Sequence, residues 1–216
     1  AEFPFLGNTS EPLSVAFNKV AMKYPQFVAE HQGVKVLAFF THGPGIVFNT
    51  KRPITKVEDL QGLKWRVGGG MVNEITKTLN MNVTLKPPAE STESFKIDKL
   101  IKHATFFPGG LYNTSFVFMM NPATYDKLTP DLKKAVDAIS GETAARLMGR
   151  NWDKVDRRGL AFMQAAGVQF SKADAAFVSA VKTKTANLED NWVKAAEAKG
   201  LKNAKQVLAD YRAEIA

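Results

Sequence analysis

The 216-residue chain contains no cysteine. That excludes disulfides, thiol nucleophiles and Cys-ligated zinc together, and it is compatible with an oxidising compartment. Histidine is nearly as scarce. His31, His42 and His103 show no HExxH spacing and no close pairing, so no metal centre is expected. No apolar run approaches the roughly 18 residues of a membrane span. The opening "AEFPFLGNTSEP" carries neither a basic segment nor an apolar core, so no signal peptide is visible; a mature exported chain would read the same way. There is no GxSxG, no GxGxxG and no Walker loop, since no Gly-Lys-Ser/Thr follows Gly68-Gly69-Gly70. No catalytic residue and no cofactor is expected.

The chain has no excess of acid either. Its formal net charge is +8, but residues 1–130 carry 14 Lys/Arg against 10 Asp/Glu and residues 131–216 carry 15 against 11. Each part is therefore +4, with the signs interspersed. A nucleic-acid protein concentrates its charge in a patch or arm, so no nucleic-acid partner is expected; general attraction of small anions remains.

What is present reads as α/β. "SEPLSVAFNKVAMK" begins a helix, with Ser10 as cap, Glu11 in the first turn and Pro12 where its missing N–H costs nothing. "VKVLAFF" (34–40) and "IVFNT" read as strands, "TKVEDLQG" as a helical turn closed by Gly62, and "LKWRV" as a third strand. A helix over 71–79, the strand "VTLK" and a helix over 91–104 follow. "YNTSFVFMM" is an apolar strand, and "NPATYDKL" a short capped helix.

From Pro130 to Ala166 an apolar stripe runs through Leu132, Val136, Ile139, Leu147, Trp152, Val155 and Met163. Unbroken, that helix would be about 55 Å long at 1.5 Å per residue, enough to cross two lobes. Its glycines at 141, 149 and 159 leave a break open. The strand "VQF", a helix over 173–199 and a last helix over 203–214 complete the pattern.

Three loops are candidate binding elements. In "LKWRV" the alternation places Leu63, Trp65 and Val67 on one face and Lys64 and Arg66 on the other. An arginine at the C-terminal end of a strand faces the crevice where open α/β sheets bind ligands, and its planar fork suits a carboxylate; it reads equally as a structural ion-pair residue. Gly68 and its neighbours form a tight turn into the next helix, able to receive an anion. In "FFTHGPG", Phe40 and His42 either line a pocket or serve as core and turn residues. In "PGGLYNTSF", Asn113 is a candidate hydrogen-bonder or a turn asparagine.

Taken together in order, "PFLGNTSE", "VAFNKVAMKYP", "VKVLAFFTHGPG", "KRPITKVEDLQGLKWRV", "ESFKIDKL", "YNTSFVFMMN" and "KLTPDLKKAVDAISGETAARL" resemble the DctP-like substrate-binding proteins of TRAP (tripartite ATP-independent periplasmic) transporters. The resemblance runs through nearly the whole chain. It implies a two-lobed periplasmic binding protein fold with a long helix bridging both lobes. Residues 1–35 and 115–150 would be what remains of lobe I, and 36–114 with 151–216 lobe II.

The resemblance also implies a monomeric periplasmic protein that captures a small organic acid and delivers it to the transporter's membrane permease. Arg66 would grip the carboxylate, with Phe40, His42, Gly68, Asn73 and Asn113 around it. Two departures stand out. The family's upstream strand–helix series is absent, leaving the first lobe incomplete, and a segment is missing between "KPPAE" and "STESF", within about 87–92. Neither Glu90 nor Glu93 beside that join takes a family role. Loss of the first sheet would leave apolar faces exposed. A ligand-sensing receptor domain on the same fold, or an enzyme acting on an organic acid, are the alternative expectations.

Overall fold

The computed structural model describes residues 1–65, 67–83 and 99–216. Helix α1 (Ser10–Lys23) carries the organising contacts. Its apolar stripe buries Leu13, Ala16 and Val20 against α9 (Ala204–Ile215), where Val207 and Tyr211 lie below 5% exposure. Phe17 meets Tyr211 edge-on at 6.2 Å between ring centroids.

A second stripe on α1 is polar and buried. Among the described strands β1 (Lys35–Thr41) pairs with β6 (Ser115–Met120) alone, which leaves its other edge in need of partners. Ser10, Ser14 and Asn18, four residues apart on one helix face, supply them. Asn18 Oδ1 accepts from Phe39 N at 3.1 Å, Ser14 Oγ accepts from Thr41 N at 3.0 Å, and Ser10 Oγ donates to Thr41 O at 2.7 Å. The edge strand is thus closed by a helix rather than by another strand.

This explains one correction to the sequence reading. Ser10 does not cap α1, because its hydroxyl is committed to Thr41. The first amides are capped from a distance: Asp153 accepts from Ser10 N at 2.6 Å and from Glu11 N at 3.0 Å. Glu11 in turn pairs with Arg146 at 3.1 Å and Arg150 at 2.9 Å.

α2 (Pro25–Ala29) leads to β1, and β2 (Val47–Asn49) follows. A 3-10 turn spans Val57–Leu60. β3 (Lys64–Trp65), α3 (Met71–Thr78) and β4 (Asn82–Val83) form a parallel crossover unit. The expected 91–104 helix falls partly on residues outside the description. Its end is corrected: His103–Phe106 is strand β5, the centre of a β2–β5–β7 sheet, antiparallel to β2 and parallel to β7 (Gln169–Lys172). Sheet pairing there overrides the helical spacing of "KLIKHA".

After β6 come α4 (Pro122–Asp126), capped as expected by Asn121 on Ala123 N (2.9 Å), and α5 (Pro130–Ile139), where Thr129 accepts from Leu132 N (3.4 Å). The long helix is divided. α5 stops at Ser140, and α6 (Glu142–Ala165) restarts after Gly141, whose φ of +61° and ψ of −132° suit glycine alone. Gly141 N donates to Leu37 O at 2.6 Å, and a bulge interrupts β1 between Val36 and Ala38. The remaining 24-residue α6 runs about 36 Å.

The expected 173–199 helix is also two, α7 (Ala175–Thr185) and α8 (Asn187–Ala198). Leu132, Ile139 and Leu147 on α5 and α6, with Phe118 and Met119 on β6, stand exposed.

Candidate functional site

β1 and β6 set the site because their register places Phe40 opposite Phe116. Those rings stack at 5.2 Å and 22°, and Phe116 stacks in turn on Trp152 of α6 at 6.1 Å and 10°. His42, just past the end of β1 and two residues after Phe40, meets Tyr112, Phe116 and Trp152 at 5.9–6.0 Å. Phe40, Tyr112, Phe116 and Trp152 are half-buried, whereas His42 is 3% exposed. Its Nδ1 lies against Gly43 O. Burial lowers the His42 pKa, so the ring is neutral at pH 7 and serves as a packing and orienting group within the aromatic wall.

Burial pushes the Tyr112 phenol up to about 12, with the nearby Asp156 carboxylate adding to the shift. Below pH 10 the phenol is neutral in folded and unfolded chains alike. Between about 10 and 12 the unfolded chain releases the proton while the folded chain retains it, so stability falls as pH rises through that window. Tyr112→Phe should remove on the order of 2 kcal/mol of this alkaline loss, read from denaturant midpoints at pH 9 and pH 12. Tyr211, also raised by burial, will keep part of it. An unchanged alkaline profile would place the Tyr112 hydroxyl in water.

On the other face, three distant segments converge on one carboxylate. Glu2 Oε2 accepts from Met71 N, the first amide of α3, at 2.9 Å. Glu2 Oε1 accepts from Ser115 N at 2.9 Å and from Ser115 Oγ at 2.8 Å. The Gly68–Gly70 turn, with Gly69 and Gly70 at positive φ, is thereby fixed beside the start of β6. Asn113 stands two residues before Ser115 and is 3% exposed. Its Oδ1 accepts from Thr114 N at 2.8 Å, and its Nδ2 is buried with no hydrogen-bond partner among the described residues. A buried amide donor without an acceptor is costly, and a ligand oxygen is one way to satisfy it.

A cavity of about 410 Å³ opens at this junction, lined by Glu2, Phe17, Phe39, Met71, Ser115 and Trp192 among others. That is within the range of small-molecule sites. Of the residues singled out in the sequence, Phe40, His42, Gly68, Asn73 and Asn113 do not line it. Phe40 and His42 lie in the aromatic wall and Asn113 beside Ser115, while Gly68 and Asn73 flank Met71 in the chain. Arg66 lies outside the described residues. The sequence reading passed over Glu2, Ser115, Phe116 and the role of Trp152. Only the two partners of Glu2, 69 and 113 residues away, give that carboxylate its meaning. Among the described residues no group of acidic and histidine side chains could hold a metal.

Comparison with known proteins decides what this arrangement belongs to. The model of the bacterial extracellular solute-binding protein family 7, DctP, matches residues 1–94 and 87–195. The chain belongs to this family. Solute-binding proteins of family 7 capture ligands rather than transform them, so the chain is not an enzyme. The two matched stretches meet and overlap at 87–94, where the sequence shows its join.

A TRAP periplasmic solute-binding protein of Bordetella bronchiseptica, solved with (R)- and (S)-mandelate, is similar at 36% identity and a TM-score of 0.92, over 99% of this chain and 73% of that one. A TRAP solute-binding protein of Rhodoferax ferrireducens T118, in complex with copurified benzoate, is similar at 27% identity and a TM-score of 0.90, over 99% and 72%. A Comamonas testosteroni protein named outer membrane transporter protein TsaT is 28% identical over 100% of this chain and 69% of its own length. The two-lobed fold of the family 7 proteins is therefore present here in incomplete form, spanning 73% of its mandelate-bound relative. No described helix is long and apolar enough to cross a membrane.

Proposed function

We propose that this chain is the periplasmic capture component of a TRAP transporter, taking up a small aromatic carboxylic acid and presenting it to the membrane permease. The observation that supports the reading is the buried amide of Asn113, without a hydrogen-bond partner among the described residues, next in the chain to Tyr112 of the aromatic wall formed with Phe40, Phe116 and Trp152. An aromatic acid offers an oxygen for the first and a ring for the second. The mandelate and benzoate found in similar proteins have this chemistry. Arg66, two residues before Gly68, supplies the charge-assisted contact, and Gly68 and Asn73 border it. The chain acts as a monomer, and β1, expected in the second lobe, pairs with β6 and packs on α1 of the first. Lobe closure is favoured by the ligand's higher affinity for the closed state.

The test is calorimetric titration of the purified chain with benzoate, (R)-mandelate and glucose. Saturable one-to-one binding of the two acids, with no heat from glucose, is expected. Failure of both acids to bind at millimolar concentration would sink the reading.

A further inference from the structure

We infer that Gly45 is a positioning residue of the binding site: its missing side chain seats the Tyr112 ring in the aromatic wall and so favours planar aromatic acids over saturated ones. The inference rests on the aromatic-acid reading above and narrows it.

Glycine serves space here. Gly45 is buried, and its φ lies outside the left-handed region, so no backbone demand explains it. A Cβ at Gly45 would meet Tyr112 Cε1 at 2.1 Å, Cδ1 at 2.2 Å and Cζ at 2.6 Å. The ring therefore lies against the Gly45 Cα, in the place a side chain would take. The backbone is held as well. Gly45 N donates to Tyr112 O at 2.7 Å, Leu111 N to Gly45 O at 3.4 Å, and His42 N to Thr114 O at 3.2 Å. A Cβ at Gly43 would meet Asp156 Oδ2 at 1.8 Å, so α6 presses on the same loop.

The consequence reaches the wall through ring contacts. Tyr112 meets His42 edge-on at 5.9 Å and 86°, and His42 leans on Phe116 and Trp152 at 6.0 and 5.9 Å. A methyl group on Gly45 would drive the Tyr112 ring from its place and remove the surface His42 packs on. The same loop borders a cavity of about 420 Å³, lined by Pro44, Gly45, Ile46, Phe106 and Leu160 among others, a volume that suits a one-ring acid. Gly45 thus touches both the ring and a space of ligand size. A flat ligand ring gains from stacking or edge contacts with such a wall, and a saturated ring of the same size does not.

The experiment compares benzoate with cyclohexanecarboxylate, which keeps the single carboxylate and the six-membered ring but not its π face. Calorimetric titration of the wild-type chain should show a preference for benzoate of about 3- to 10-fold, the usual worth of aromatic contact geometry beyond buried area. Gly45→Ala should bring the two acids within about 2-fold of each other by weakening benzoate more than its saturated counterpart. A merely structural loss would weaken both alike. Tyr112→Leu, which leaves Gly45 in place, should lose the same preference, and adding Gly45→Ala to it should change the ratio no further. Where Gly45→Ala alone does not fold, the double variant should, because the leucine can turn away from the methyl group.

A benzoate preference that survives in Tyr112→Leu or in a folded Gly45→Ala would overturn the inference and leave carboxylate capture standing. So would equal affinity of the wild-type chain for the two acids, or a double variant that fails to fold as the single one does. Binding of neither acid by the wild-type chain would overturn both readings.

Discussion

Arg66→Ala should weaken binding of an aromatic acid by about 2–5 kcal/mol, the usual cost of truncating one partner of a desolvated charge pair. At 1.4 kcal/mol per decade this is roughly 30- to 4,000-fold in affinity. The expectation comes from the strand reading of "LKWRV", from the turn that follows it and from the family to which the chain belongs. An arginine fork grips both oxygens of one carboxylate, and removing it leaves the ligand's charge without a counterion. Arg66→Lys is the informative companion. It preserves the charge but not the two parallel hydrogen bonds, so its loss should fall between wild type and alanine. Isothermal titration with benzoate measures all three. If alanine at 66 bound as tightly as arginine, the residue would have to be removed from the site and the bland reading, a structural ion pair, restored.

The second large effect concerns stability. Gly149 lies in the middle of α6, where α1 crosses it. A Cβ there would meet Glu11 Cα at 2.6 Å, Ser10 O at 2.9 Å and Glu11 N at 3.0 Å, all backbone atoms with no rotamer to change. The helices must move apart to admit a methyl group. That movement also pulls Asp153 from the amides of Ser10 and Glu11, and Arg146 and Arg150 from Glu11.

Overpacking of this kind typically costs about 1–3 kcal/mol. The gain of about 1 kcal/mol that alanine ordinarily brings to a helix offsets part of it. Gly149→Ala should still lower stability by about 1 kcal/mol, or roughly 2–4 °C in midpoint for a chain of this size. A midpoint equal to or above that of the wild type would mean that α1 and α6 are not held at this separation.

How much of this was legible varies by element. Asn121 announces its helix because a cap acts within three residues, and it caps Ala123 N as expected. The 130–166 stripe is real, yet Gly141 divides it. The apolar period continues across the break, since period alone does not report one residue's φ. Ala186 between α7 and α8 gives no warning at all, being in helical conformation itself. The helical spacing of "KLIKHA" points to a helix end where pairing with β2 and β7 makes the strand β5. His42 could be read as pocket wall or as core, and the rings of Tyr112, Phe116 and Trp152 around it make it a buried packing residue of the aromatic wall.

The sequence by itself determined the α/β class, most element positions, the family resemblance and the join within 87–92, all of which depend on near neighbours or on ordered motifs. It also excluded thiol chemistry through the absence of cysteine. Tertiary structure alone decided which side chains meet. Ser10 is separated by 143 residues from the aspartate beneath its amide, and Glu2 by 113 from Ser115. Such pairs leave no local period or spacing, because a hydrogen bond constrains distance in space and the chain between its partners is free to take any length.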